Sequence, residues 1–157
     1  MRDKLSKIGS RLKKLKDERK EKPLISEDSA INAITEFLDY YDIDIASLQM
    51  TENTEVAGER ILDALIKYYR WGKLKNQIDE KGKFLVIQTL KSGTTITYSE
   101  VKAANKRTMD KLESRENNGK IQTYMGSLGN IGLDGVDQLH ATDLAVLEVL
   151  GNIFLLA

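Results

Sequence analysis

Apolar residues recur along this chain with two different periods, and each change of period marks a change of element. Leu5, Ile8, Leu12 and Leu15 are spaced three, four and three apart, which lines them on one stripe of a helix. Charged residues surround that stripe almost completely. A helix with so thin an apolar seam is marginal alone in water, so it needs a surface to lie on. Pro23 closes the segment, because the residue before a proline is pushed out of the helical region.

Ser26, followed by Glu27 and Asp28, is a helix start: a hydroxyl for the orphan amides and two carboxylates at the positive end of the dipole. Ile31, Ile34, Phe37, Leu38 and Tyr41 supply the apolar face of a helix expected over 26–42. The stretch 42–53 reads as irregular, with Ile43, Ile45 and Leu48 turned inward. Asn53 or Thr54 caps the next helix, whose positions Ile61, Leu62, Leu65, Tyr68 and Tyr69 repeat at helical spacing, and Gly72 stops it.

From Leu74 the period shortens. Leu74, Asn76 and Ile78 lead into the turn Asp79-Glu80-Lys81-Gly82, then Phe84 to Leu90, a turn at Ser92-Gly93, and Thr94 to Tyr98. Branched and aromatic residues between glycine-containing turns predict three antiparallel strands near 73–98, a sheet too small to stand without helices over one face. Ser99 and Glu100 then restart helix to about residue 115, with Val101, Met109 and Leu112 as its contacts, and Asn117-Asn118-Gly119 breaks it. Ile121, Tyr124, Met125 and Leu128 mark another short helix. The ending DLAVLEVLGNIFLLA is apolar enough to require burial, in the core or against a partner.

Net charge is zero, but unevenly distributed. Residues 1–22 hold ten Lys or Arg against four acids, a net +6, so the remainder carries −6. Such an arm fits a protein surface through its leucine stripe, a phosphate backbone, or an anionic membrane surface. Asp17, Glu18 and Glu21 dilute its second half and it lacks aromatics to stack on bases, which favours the protein surface. No run approaches the roughly 18 apolar residues of a membrane span, and no apolar segment follows the basic one as in a signal peptide. Cysteine is absent, which excludes disulfides and thiolate metal sites.

Candidate chemistry is sparse. The only histidine, His140, stands in HATD, which suits a helix start better than general-base catalysis. Asp134 and Asp137 lack the alternating oxygen ligands and closing glutamate of a calcium loop. Gly126, Gly129, Gly132 and Gly135 match neither dinucleotide nor nucleotide-phosphate motifs and suit a loop or tight packing. We expect no cofactor, no metal and no catalysis. Tyr68, Tyr69, Arg70 and Trp71 are expected to pack between helix and sheet, and are also the residue types that dominate binding hot spots. With Leu5, Ile8, Leu12 and Leu15 they form the candidate partner-binding set.

The segments LIKYYRWGKL, DEKG, QTLKSG, TITYSEVKAANKRTMDKL and LDGVDQLHATDLAVLEVLGNIFL, in that order over about residues 65–157, resemble the small tail assembly chaperones of tailed phages and prophages. Lys91-Ser92-Gly93 stands where that family often has a proline-containing turn. The resemblance implies a non-enzymatic protein that shields a long hydrophobic tape-measure protein until tube subunits polymerise, in the host bacterial cytoplasm or on the particle. It transfers no catalytic residue. The expected architecture is a mostly helical α+β fold: a basic amphipathic helical arm at 1–22, then one helical domain at 24–157 containing the three-stranded meander. A virion structural subunit of neck, baseplate or capsid, clamped by the N-terminal helix, is the alternative, and a nucleic-acid-binding protein using the basic arm is a further one. Partners would be phage structural or tape-measure-like proteins, or a second copy of the chain.

Overall fold

The computed structural model describes residues 2–18, 22–44, 54–108 and 117–156, with side chains placed over 3–13, 22–44, 58–108 and 119–156. These residues form a mostly helical α+β fold with one antiparallel sheet of strand order β1-β2-β3. In chain order the elements are α1 (Arg2–Glu18), α2 (Glu27–Tyr40), α3 (Thr54–Arg70), β1 (Leu74–Ile78), β2 (Phe84–Thr89) and β3 (Thr95–Tyr98). Then follow α4 (Ala103–Arg107), α5 (Asn117–Leu128), α6 (Gly132–Asp137) and α7 (Ala141–Phe154).

Helix α2 begins as its residues demand, with the Ser26 hydroxyl accepting from the Ser29 amide at 3.1 Å. Its buried row is Ala30, Ile34 and Phe37, spaced four and three. Ile31, expected on that face, lies one residue further round the helix and is exposed. Of the three inward residues expected after α2, Ile43 is buried, while Ile45 and Leu48 lie outside the described residues. Helix α3 ends in a paired cap: the Lys73 amide donates to the Tyr68 carbonyl at 2.9 Å and the Gly72 amide to Tyr69 at 3.2 Å. That geometry needs the left-handed backbone which Gly72 adopts at φ 73°.

The meander follows the sequence pattern closely. Leu74 pairs with Gln88 and Ile78 with Phe84 across the first ladder; Val86 pairs with Tyr98 and Thr89 with Thr95 across the second. Asp79 fastens the first turn, its Oδ1 accepting from the amides of Lys81 and Lys83, both at 2.8 Å. Alternation then sends Leu74, Phe84, Val86, Gln88, Ile96 and Tyr98 to one buried face. Helices α2 and α3 pack against that sheet and each other, α7 packs on α3 and α5, and α6 folds back on α5. Where α2, β2, β3 and α7 converge, Phe37 and Tyr41 meet Phe154 with ring centres 5.1 and 5.2 Å away.

Two boundaries differ from the sequence pattern. Residues 99–102 are not helical and α4 begins only at Ala103, where the Asn105 side chain accepts from the Lys102 amide at 3.0 Å. The cap sits at this turn, one step after the half-buried Val101, rather than at Ser99. Met109 and Leu112 lie outside the described residues. Asn117-Asn118-Gly119, expected as a break, is instead the first turn of α5, where asparagine is tolerated because the first amides have no partner within the helix. The four spaced glycines serve close packing or turns. A Cβ on Gly129 would stand 2.6 Å from Ile96 Cγ2, one on Gly126 would meet the Gly132 carbonyl at 2.8 Å, and Gly132 itself has φ +65°.

Candidate functional site

The residues expected to bind partners divide into two groups with different fates. On α1, Leu5, Ile8 and Leu12 are 67%, 54% and 61% exposed, and none of the described core residues comes from this helix. The side chain of Leu15 lies outside the described residues. The cations around this stripe that are described, among them Lys4, Lys7, Arg11 and Lys13, are exposed as well. This helix therefore offers water an apolar seam between charged flanks.

The second group is largely structural. Tyr69 is 2% exposed and its hydroxyl donates to Asn76 Oδ1 at 2.7 Å, while Asn76 Nδ2 donates to the Ala33 carbonyl at 2.7 Å. One tyrosine and one asparagine thus tie α3 to β1 and α2. Arg70 reaches Glu27 at 3.7 Å and lies with its guanidinium 5.4 Å from the centre of the Trp71 ring. The Arg70 carbonyl accepts from the Leu24 amide at 2.7 Å, which docks the segment before α2 onto the end of α3. Tyr68 and Trp71 remain half-buried. The structure thus does not bring the aromatic cluster together as one exposed patch.

A buried polar network, absent from the sequence reading, links the sheet to α7. Gln88 is fully buried, donates through Nε2 to the Asp143 carbonyl at 2.8 Å, and accepts from the Tyr98 hydroxyl at 2.8 Å. Asp143, 4% exposed, accepts from the Lys91 amide through both carboxylate oxygens at 3.1 Å. His140 caps α7 as expected, its Nδ1 accepting from the Thr142 amide at 3.2 Å, and its Nε2 lies 3.3 Å from Lys91 Nζ. Lys91 and Asp143 are thus joined through backbone and capping contacts around the second turn of the meander. Every partner in this network is within the chain, which makes it a strut between β2 and α7.

One hollow of about 610 Å³ opens between the end of α2, the start of β2 and α4. Its floor is Phe84, stacked at 4.9 Å on the exposed Tyr40, and its rim holds Lys83 and Glu100, 3.5 Å apart. Among the described residues no three His, Cys, Asp or Glu side chains gather to hold a metal ion, and no described helix is long and apolar enough to cross a membrane.

The feature of α2 that bears most on partners is its charge. Residues 23–59 contain nine Asp or Glu and no Lys or Arg. Asp28, Ile31, Thr35 and Asp39, spaced three, four and four, share the exposed face of α2. Ile31 is 42% exposed there, and Leu24 and Ile25 just before the helix are 75% and 36% exposed. The sequence signal was available as an uninterrupted acidic run, hidden when charge is summed over the whole body. No family model, curated protein or solved structure matches the chain.

Proposed function

We propose that this chain is a non-enzymatic assembly protein of the phage type, similar in role to a tail assembly chaperone, and that it acts by protein–protein contact. The observation that carries the reading is the exposure of Leu5, Ile8 and Leu12 on α1. Fully covering such a side chain is worth on the order of 1.5–3 kcal/mol, so leaving three in water on a helix outside the core makes a surface suited to a partner. The resemblance over residues 65–157 supplies the class of partner: a long hydrophobic chain kept from aggregating until tube subunits enclose it. Catalysis has no part in this reading. The buried polar groups of Tyr69, Gln88, Tyr98 and Asp143 are hydrogen-bonded within the fold.

The test is stoichiometry. When the chain is produced together with the tape-measure and tube proteins of a tailed phage, an assembly factor co-purifies with the unassembled tape-measure chain and is missing from finished particles. A symmetric copy number in finished particles would instead establish a permanent virion subunit. Replacing Leu5, Ile8 and Leu12 with Asp is expected to weaken co-purification about tenfold or more, since each removes apolar contact and adds a charge to be desolvated. Undiminished capture by that variant would remove the arm from the mechanism.

A further inference from the structure

The apolar seam of α1 recurs on a heptad spacing, with Leu5 and Leu12 at one position and Ile8 and Leu15 at the other. That spacing suggests pairing with an identical helix, but the flanks oppose it. By the heptad register, two copies of α1 laid parallel set Arg11 opposite Lys16; laid antiparallel, they set Arg11 opposite its own copy and Arg2 opposite Lys16, with Lys4 opposite Glu18 as the favourable pairing against them. Like charges outnumber unlike ones in both arrangements, so an apolar surface with acidic flanks suits α1 better than a second α1 does. The chain carries one such surface, the exposed face of α2, where Asp28 and Asp39 flank Ile31 and where Leu24 and Ile25 form an apolar lip at the helix start. No Lys or Arg occurs within the chain from residue 23 to residue 59; Arg70 of α3 reaches Glu27 at the helix start, 3.7 Å away.

We infer that the basic arm of one copy docks on the acidic face of α2 in a second copy, the Leu5, Ile8 and Leu12 seam lying against Ile31 and Leu24 while Lys4 and Arg11 face Asp28 and Asp39. This rests on the proposed role in assembly and names a second copy of this chain as an occupant of the arm. Exchange is reciprocal: two copies trade arms and close into a symmetric dimer, leaving no arm over to propagate a filament. The charge difference that sums to zero over the chain becomes the recognition code between copies. Screening by salt weakens such contacts, so the dimer is expected to be sensitive to ionic strength.

Sedimentation velocity on the purified full chain tests this without any other protein. At low salt the chain is expected to pass from monomer to dimer as concentration rises, and added salt is expected to shift the midpoint at least about tenfold upward. The double variants Lys4→Glu/Arg11→Glu and Asp28→Lys/Asp39→Lys should each be monomeric, because like charges then face each other. Mixed one to one, or combined in a single chain, they should dimerise again. These are exposed positions, and circular dichroism with a thermal melt verifies that each variant is folded. Several outcomes overturn the inference: a chain monomeric at every concentration and salt, association that survives either charge reversal, or failure of the mixed and combined variants to recover it. Uptake of a monomeric chain by phosphatidylglycerol vesicles, or by duplex DNA, would overturn it too and assign the seam to that surface. A monomer that still co-purifies with the tape-measure chain would overturn this inference and leave the assembly role standing.

Discussion

Gln88 is the residue whose environment is least expected for its type, since a polar side chain in the central strand lies fully buried on the core face. Its two contacts explain the position. The amide nitrogen satisfies the Asp143 carbonyl and the amide oxygen satisfies the Tyr98 hydroxyl, both at 2.8 Å, so one side chain closes two buried polar groups from different elements. Gln88→Leu keeps the approximate volume but strands both partners, and is expected to lower stability by about 1–3 kcal/mol. Urea unfolding checks it: the midpoint should fall while the slope stays constant. A midpoint within error of the parent would mean that water or another donor replaces the glutamine. Alternation along β2 tells which face Gln88 occupies, but nothing local in the sequence reveals that a carbonyl fifty-five residues later waits for it.

At the scale of elements, the arm and the body are separable on the observed contacts, and the boundary is best drawn between Lys22 and Leu24. Leu24 belongs to the body, because its amide is hydrogen-bonded to the Arg70 carbonyl and its side chain lies against Gly72. The described side chains of α1 contribute nothing to the core. Removing residues 1–22 should therefore change the melting temperature by no more than the small shifts typical of surface changes, whereas extending the deletion through Ser26 should cost several degrees. A collapse of stability on the shorter deletion would show that the arm is core. The elements legible in the sequence were those whose signals are local. The three strands carry their own turn residues and alternation, α2 its serine cap, and α3 its terminal glycine. The start of α4 was not legible at Ser99, because its cap is set by Asn105, which reaches back to the Lys102 amide and across to Ser127 near the end of α5. The candidate site was half legible for the same reason. Exposure of the α1 seam accords with its thin apolar stripe among charges, but the loss of Tyr69 to the interior depends on Asn76 and Ala33.

Over the whole molecule, the tyrosines make stability a function of alkaline pH. Burial pushes the Tyr124 phenol from its ordinary 10.0 up to about 12. Burial likewise raises Tyr98, and raises Tyr69 with a further push from Tyr41 and Glu36; Tyr41 is raised by burial first and then by Tyr40 and Glu100. These groups lie on or beside α2, α3, β3 and α5. In the unfolded chain each phenol ionises near pH 10, while in the folded chain it holds its proton to higher pH. Below about pH 10 both states are neutral at these positions and the full stability is present. Above it the unfolded chain binds fewer protons than the folded one, so the free energy of unfolding falls as pH rises, by up to about 1.4 kcal/mol per pH unit for each such tyrosine. The loss continues until the folded phenols themselves titrate. Urea midpoints measured from neutral pH upward should be level on these tyrosines' account to about pH 10 and then drop. Tyr124→Phe separates this from general alkaline damage. It gives up the 3.2 Å hydrogen bond to the Phe154 carbonyl and so starts from a lower midpoint. Having no phenol to ionise there, it should lose stability less steeply above pH 10 than the parent. An equal or steeper decline would place the alkaline sensitivity elsewhere in the chain.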